Sequence, residues 1–165
     1  MKLTTRGRYA VTAMLDLALH TDSGPVSLAD ISRRQEISLS YLEQLFSRLR
    51  KHELVGSTRG PGGGYHIARP LGEVAVADIV AAVNESVDAT QCGGQKNCHQ
   101  HGRCLTHDLW EGLSLQIESF LKGISLHDLI NRAPVQEISA RRDTAITLQD
   151  SRRSTKHNRS APHAE

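Results

Sequence analysis

Aromatic side chains are scarce in this chain, and long apolar runs are missing altogether. Only 4% of its 165 residues are aromatic, and a single tryptophan is present. The core must therefore be built from leucine, isoleucine, valine and alanine, which favours packed helices over a large sandwich of sheets. No apolar run reaches the roughly 18 residues that a membrane helix needs, so we expect no contact with a membrane.

Cysteines are also few, and all three lie between Cys92 and Cys104. A disulfide-stabilised secreted domain would instead distribute an even number along the chain. Basic residues precede an apolar stretch near the N-terminus, as in a signal peptide, but Asp16 interrupts that stretch and no small-residue cleavage site follows. We therefore expect a cytoplasmic protein with reduced thiols.

The charge is small but unevenly distributed. Residues 1–69 carry ten Lys or Arg against six Asp or Glu, whereas residues 70–132 carry four against eight. A basic N-terminal part fits a nucleic-acid partner, although scatter in solvated surface charge would give the same balance. Paired acids and a nucleophile–base signature are both missing from the sequence, so we do not expect an enzyme.

Helical periodicity dominates the first part of the chain. Apolar residues at i, i+3, i+4 and i+7 predict a central helix that includes 10–19, a short second helix at 28–35 and a third helix ending near His52. Ser27 and Ser40 each stand three residues before an acidic residue, and these capping boxes predict where the second and third helices begin.

Two strand-like runs, Leu54–Ser57 and Tyr65–Ile67, then flank a glycine-rich loop and predict a hairpin. Three helices followed by a hairpin predict a mainly α fold with a winged helix-turn-helix domain over residues 1–70. Residues 71–132 form the second predicted segment: a helix at 76–83, a polar loop at 90–103, a long helix at 105–122 that ends at Gly123 as its C′ residue, and one or two turns at 125–130. Residues 133–165 show no apolar period, which predicts a disordered tail.

The third helix has a polar face that suits the grooves of double-stranded DNA. Gln44 has the donor and acceptor to bridge the edge of an adenine, and Glu43 can accept from a cytosine amino group. A solvated helix face would show similar residues. The predicted DNA-binding residues of this helix and the position before it, including the phosphate-contacting Arg48, Arg50 and Lys51, are Ser38, Ser40, Tyr41, Glu43, Gln44, Ser47, Arg48, Arg50 and Lys51.

The loop of the hairpin adds a second predicted DNA contact. Glycines let a backbone approach a ligand closely, and Arg59 at the base of the loop can enter a narrow minor groove. A nucleotide-binding loop is a poorer interpretation, because no Lys-Ser/Thr and no helix follow, and an ordinary turn is the remaining alternative. The predicted contacts here are Arg59, Gly60, Gly62 and Gly63.

Three motifs together resemble one bacterial family. They are MKLTTRGRYA at 1–10, ISLSYLEQL at 37–45 and RGPGGGY at 59–65. In this order they resemble the small winged-helix regulators that sense iron–sulfur status or nitric oxide. The resemblance extends from Met1 to about Ile130, and it implies a transcription regulator, either a repressor or an activator.

Four potential metal ligands lie within sixteen residues. Five residues separate Cys92 from Cys98 and Cys98 from Cys104, and two separate Cys104 from His107. Thiolates and imidazoles bind zinc, copper(I) or iron–sulfur clusters. Structural zinc sites usually pair cysteines across two to four residues, so this wider spacing favours a cluster without excluding zinc. An iron–sulfur or zinc carrier without a regulatory role is the alternative function.

The resemblance implies more about this site. The branch of the family that regulates iron–sulfur cluster assembly is similar in the spacing of its three cysteines and one histidine, which hold a 2Fe–2S cluster. It implies that Cys92, Cys98, Cys104 and His107 are the ligands, that assembly machinery supplies the cluster and that assembly genes are the targets. The nitric-oxide-sensing relatives lack this histidine. His99 and His101, which lie inside the loop, are competing ligands or solvated residues.

The long helix carries an apolar seam. Its members repeat at spacings of 3, 4, 3 and 4, as in a coiled coil, and they are Trp110, Leu113, Ile117, Phe120 and Ile124. Such a seam on a terminal helix predicts a homodimer, although it could also pack on its own domain. A dimer would present two recognition helices to half-sites roughly 34 Å apart, one turn of DNA.

Overall fold

The computed structural model describes residues 4–99 and 102–158, with side chains as far as Ser151. Two short 3-10 turns, at Thr21–Ser23 and Leu71–Glu73, lie between the longer elements. The helices are α1 (Thr5–His20), α2 (Leu28–Gln35), α3 (Leu39–Lys51), α4 (Val76–Ala82), α5 (His107–Lys122), α6 (Leu126–Ile130) and α7 (Ala133–Asn158), and the strands are β1 (Val55–Thr58) and β2 (Gly64–Ile67).

Helix α1 lies at the centre of the core, as its broad apolar surface predicts. Ala10, Met14 and Leu17 are completely buried, and they pack in one cluster with Phe46 and Leu49 of α3. Because α1 contacts α2, α3, α4, α6 and β2, both halves of the chain are built on the same helix. The predicted mainly α fold is confirmed.

The start of α2 is as predicted, whereas that of α3 is not. The Ser27 hydroxyl accepts a hydrogen bond from the Asp30 N–H and caps α2. The prediction that Ser40 caps α3 is wrong, since α3 begins at Leu39 and Ser38 is its first flanking residue. The Ser38 carbonyl accepts hydrogen bonds from the backbone N–H groups of Tyr41 and Leu42, which makes Ser38 the start of the helical hydrogen-bond pattern. Ile37, just before it, is buried, and Ser40 is exposed in the first turn of the helix.

The hairpin is antiparallel, with register from Val55 opposite Ile67 to Thr58 opposite Gly64. A third segment joins it, because Val26 and Tyr65 exchange two backbone hydrogen bonds of 2.8 and 2.9 Å. The wing is therefore attached directly to the residues that lead into α2. Three helices and an anchored hairpin make up a winged helix-turn-helix, which confirms the predicted fold class.

The second half of the chain returns to the same core. The backbone before α4 bridges that before α6, where Val76 N donates to Ile124 O and Leu126 N donates to Val74 O, both at 2.9 Å. Leu126 is fully buried. Gly123 ends α5 as predicted, and it does so in a right-handed conformation with φ of −76°.

Helix α7 corrects the prediction of a disordered tail for residues 133–158; residues 159–165 lie outside the described residues. The helix lacks an apolar stripe and is held by polar contacts, which apolar periodicity does not reveal. Asp143 lies 3.2 Å from the His20 imidazole of α1, and Asp150 lies 3.2 Å from the Arg33 guanidinium of α2. No helix in the described part of the chain combines the length and apolar character required to cross a membrane.

Candidate nucleic-acid interface and metal centre

One face of α3 is polar and open to solvent over its whole length. Leu42, Leu45 and Leu49 turn into the core, because these residues recur every three or four positions. The opposite face starts at the flanking Ser38. Its exposed predicted residues are Ser38, Ser40, Glu43, Gln44, Ser47, Arg50 and Lys51. Helix α3 therefore presents hydrogen-bond donors and acceptors along a face that can enter the major groove of DNA.

Two residues predicted to bind DNA are engaged within the protein. Tyr41 is half-buried, and its ring lies edge-on to Tyr9 with centroids 5.9 Å apart. Arg48 is also half-buried, and its guanidinium donates to the Val83 carbonyl at the end of α4 at 3.3 Å. The structure therefore places Arg48 as a link between α3 and α4, whereas sequence spacing alone placed it at a phosphate.

The tip of the wing requires glycine. Gly60 and Gly62 have φ of 103° and 73°, a conformation that residues with a side chain rarely adopt. Gly63 donates to the Gly60 carbonyl at 2.9 Å, and a Cβ on Gly63 would collide with the Thr58 carbonyl. Arg59 is exposed at the base of this turn. The loop therefore presents backbone and one cation, with no bulky side chain in the way.

A buried ion pair underlies the helix-turn-helix, and sequence reasoning missed it. The Asp16 carboxylate is 2% exposed and accepts from the Arg34 guanidinium at 2.7, 3.0 and 3.1 Å. The Gln35 amide donates to the same carboxylate at 2.5 Å. These bonds fix α2 against α1. An acid inside an apolar helix was the available signal, but spacing could not identify its partner.

The predicted metal centre lies in the loop that precedes α5. His107, the first residue of α5, places its Nδ1 3.6 Å from the Cys92 Sγ and 3.5 Å from the Cys98 Sγ. The donor atoms of these three residues all lie within 4.8 Å of one another. The structure therefore brings together three of the four predicted ligands around one point.

Cys104, the fourth predicted ligand, is not part of that group of three. Its backbone N–H donates to the Cys98 sulfur at 3.0 Å, and its own Sγ lies 3.9 Å from the Thr106 hydroxyl. His99 is likewise outside the group, in a tight turn in which its backbone exchanges two hydrogen bonds with Gly102. His101 lies outside the described residues.

The thiols differ in acidity. Partial burial raises the pKa of Cys92, but hydrogen bonds from the Lys96 backbone and the Thr90 hydroxyl outweigh it and the pKa is lowered. A hydrogen bond from Cys98 lowers the pKa of Cys104. The Cys104 N–H lowers the pKa of Cys98, yet burial and the two neighbouring thiols together raise it. The thiolate is the metal-binding form, and these shifts favour it at Cys92 and Cys104 relative to Cys98.

The loop is fastened to α5 by a polar cluster. The Ala89 N–H donates to the Ser114 hydroxyl at 2.8 Å, and Thr90 donates to the Asp88 carboxylate through both its backbone and its hydroxyl at 2.7 Å. The Thr90 hydrogen bonds lower the pKa of Asp88, which keeps this acceptor ionised. Cys92 follows Thr90 by two residues, so the segment that leads into the cysteine loop is attached to α5.

The fold and these surfaces define a winged-helix DNA-binding regulator. Residues 3–132 match the Rrf2 family, described as an iron-dependent transcriptional regulator. The chain belongs to this family, and it is a DNA-binding transcription regulator rather than an enzyme. The family resemblance inferred from the three sequence motifs is therefore confirmed.

Several similar relatives share one name. The chain is 60% identical over 144 residues to the HTH-type transcriptional regulator IscR of Xenorhabdus nematophila, covering 87% of this chain and 88% of that one. It is 57% identical over 157 residues to IscR of Photobacterium profundum, covering 95% and 91%. Among solved structures, T. potens IscR matches with a TM-score of 0.65 and 38% identity over 79% of this chain and 86% of that one.

A second solved relative shares the fold under another name. The global cysteine regulator CymR of B. subtilis superposes with a TM-score of 0.67 at 30% identity, over 79% of this chain and 96% of that one. The architecture is therefore shared by regulators with different roles. Because the fold is shared, it does not distinguish roles within the family, and the residues of the loop before α5 are the feature that can.

Proposed function

We propose that this regulator senses iron–sulfur status through a 2Fe–2S cluster and controls iron–sulfur cluster assembly genes. The observation that carries the proposal is the convergence of the Cys92 and Cys98 thiols on the buried imidazole of His107, at 3.6 and 3.5 Å. The names of the IscR relatives support the same assignment. In this account residues 1–70 read DNA and residues 71–132 carry the sensor and the dimer contact.

The proposed ligands are Cys92, Cys98, Cys104 and His107. The donor set fits the group, because two soft sulfurs and one imidazole lie within 4.8 Å of one another, and Cys104, whose sulfur lies outside that group of three, is bonded through its backbone N–H to the Cys98 sulfur. His107 is 1% exposed, so its ring is already removed from water on the side where a metal would bind. When bound, the cluster supplies a redox-active, oxygen-labile centre whose occupancy reports the supply of iron–sulfur clusters from the assembly machinery.

The experiment that tests this function is anaerobic purification followed by a visible spectrum and by iron, sulfide and zinc analysis. We expect a brown protein with equal amounts of iron and acid-labile sulfide. A colourless protein that holds stoichiometric zinc would show that the spacing of the cysteines serves a zinc site, and it would overturn the proposal.

Helix α5 supports the proposed homodimer. In the single chain Leu109, Trp110 and Phe120 are 64%, 40% and 67% exposed. Contiguous apolar surface of this kind marks an interface, since water contact with it is unfavourable. Ile117 and Ile124 of the predicted seam are half-buried against their own chain. One part of the seam thus packs against its own chain, and the other part is exposed and available to a second copy.

Replacing Phe120 by glutamate tests this interface. A charge in the centre of an apolar contact is expected to raise the dimer dissociation constant about 30-fold or more, equivalent to about 2 kcal/mol. Sedimentation across a concentration series measures it. Leu148→Glu is the matched control, because Leu148 is also exposed but lies on α7. An unchanged dimer in Phe120→Glu, or equal weakening in both variants, would place the interface elsewhere.

We propose that the exposed face of α3 contacts DNA bases. The cations of α3 and the wing are proposed to contact the sugar–phosphate backbone or the minor groove. Gln44 and Glu43 have no competing intramolecular bond among those found in the described residues, so their polar atoms remain available to base edges. Arg50, Lys51 and Arg59 are exposed and suited to phosphate or minor-groove contact. One nitrogen of the Arg48 guanidinium is already bonded to Val83, so its predicted phosphate contact would come from the remaining N–H groups.

Gln44→Ala separates base reading from general attraction. We expect a loss of about 1–3 kcal/mol in discrimination at one base pair, because an alanine leaves that base edge unpaired. Binding to duplexes selected from a random library, each with one substituted base pair, measures the effect. Lys51→Ala is the control and is expected to weaken all duplexes alike while lowering the salt slope by about 1. Uniform weakening by Gln44→Ala would contradict a reading role.

A further inference from the structure

The two ring nitrogens of His107 lie in different surroundings. Nδ1 faces the sulfurs of Cys98 and Cys92 at 3.5 and 3.6 Å. Nε2 is buried, and it is the one side-chain nitrogen or oxygen that is both buried and without a hydrogen-bond partner within the described part of the chain. A buried polar atom without a partner is costly, so this nitrogen needs an acceptor or a donor nearby.

The group that fits is the carboxylate of Glu111, one turn further along α5. Its Oε1 lies 4.0 Å from Nε2. A spacing of four residues keeps both side chains on the same helix face, and the separation exceeds hydrogen-bond length by only about 1 Å. Asp108, the other nearby acid, is already bonded to the Arg103 guanidinium at 3.0 Å.

We propose that Glu111 is a positioning residue that accepts a hydrogen bond from His107 Nε2–H and leaves Nδ1 as the metal-binding nitrogen. A neutral imidazole carries one N–H, so holding that proton on Nε2 directs the free lone pair of Nδ1 toward Cys92 and Cys98. A carboxylate behind a ligating histidine fixes the ring and makes it a stronger donor. This inference rests on the proposed function of the site.

Lys96 connects the same carboxylate to the loop. Its Nζ lies 3.7 Å from Glu111 Oε1, and its position in the chain is between Cys92 and Cys98. Glu111 thus lies between the imidazole and the loop that carries two of the thiols. The pair with Lys96 is partly exposed and 3.7 Å long, so it contributes little by itself, and Lys96→Ala is expected to have a much smaller effect than a change at Glu111.

The test uses full-length protein purified anaerobically, with ring-nitrogen-selective ¹⁵N-histidine for pulsed EPR of the reduced cluster. Wild type is expected to show coupling to Nδ1. Glu111→Ala is expected to weaken metal retention against an iron chelator by about 10- to 100-fold. Glu111→Gln should be intermediate, because an amide oxygen still accepts. Asp108→Asn and Glu118→Gln remove a nearby and a distant charge from the same helix, and both should match wild type.

The contradicting outcomes distinguish the role of Glu111 from the proposed function of the site. Ligation through Nε2 in wild type, retention by Glu111→Ala equal to wild type, or equal loss in Asp108→Asn would overturn the role of Glu111 while the proposed function stands. A wild-type protein that holds no cluster would overturn the proposed function itself. Thermal unfolding and DNA binding of the cluster-free Glu111→Ala protein, expected to equal those of cluster-free wild type, show that the variant is folded.

Discussion

Replacing Cys98 by alanine is expected to abolish the visible absorption of the anaerobically purified protein. Its sulfur lies 3.5 Å from His107 Nδ1 and accepts from the Cys104 N–H at 3.0 Å, so it connects the group of three to the fourth proposed ligand. A cluster that loses one of four ligands has an open coordination position and is readily lost. Iron and sulfide content should fall together to background.

The neighbouring Asn97→Ala variant is the matched control for this loss. Asn97 is exposed, and its side chain bonds only to Gln95 among the contacts found in the described residues. It should therefore retain full absorption. If Cys98→Ala keeps its iron and sulfide while Asn97→Ala does likewise, the ligand set proposed here is wrong.

Replacing Asp16 by alanine should lower the free energy of unfolding by about 3–5 kcal/mol, because a mostly buried guanidinium then loses its charge partner. Arg34 is 13% exposed, and its three hydrogen bonds to Asp16 join α1 to α2. Since α1 is the centre of the core, the loss should weaken the whole winged helix. Urea unfolding followed by circular dichroism, performed on the apo dimer at fixed concentration, measures it.

Glu137→Ala provides the comparison. Its carboxylate pairs with Arg141 at 2.6 Å in the same i, i+4 manner as many surface pairs, with side chains 63% and 76% exposed. Such a pair is expected to contribute less than about 0.5 kcal/mol. Equal small effects for both variants would show that the Asp16 pair, although buried, does not stabilise the fold.

Local patterns predicted the winged helix well because they report directly on backbone and burial. The apolar period of α1 and the capping box at Ser27 identified helices whose buried faces the structure confirms. The capping box at Ser40 misled, because α3 begins two residues earlier than that box predicts, with Ser38 as its flanking residue directly after the buried Ile37. Helix α7 had no apolar period to detect, since it is held by charged contacts to α1 and α2.

The candidate site was only partly predictable for a related reason. Cysteine spacing marks which residues share a loop, but it says nothing about which atoms a buried histidine turns toward them. The bond between Arg48 and Val83, like the pair between Asp16 and Arg34, joins residues 35 and 18 positions apart. Contacts at that separation depend on how the helices pack, and no short-range pattern specifies them.

The central claim is that one chain both reads DNA and reports cluster occupancy, and the most direct test compares DNA affinity before and after cluster removal. The same anaerobic preparation, its cluster-free form and Cys98→Ala are titrated with duplexes selected from a random library. The account predicts that loaded protein differs from the other two in affinity for at least one selected sequence, and that those two agree. Equal affinity of all three for every selected sequence would contradict it.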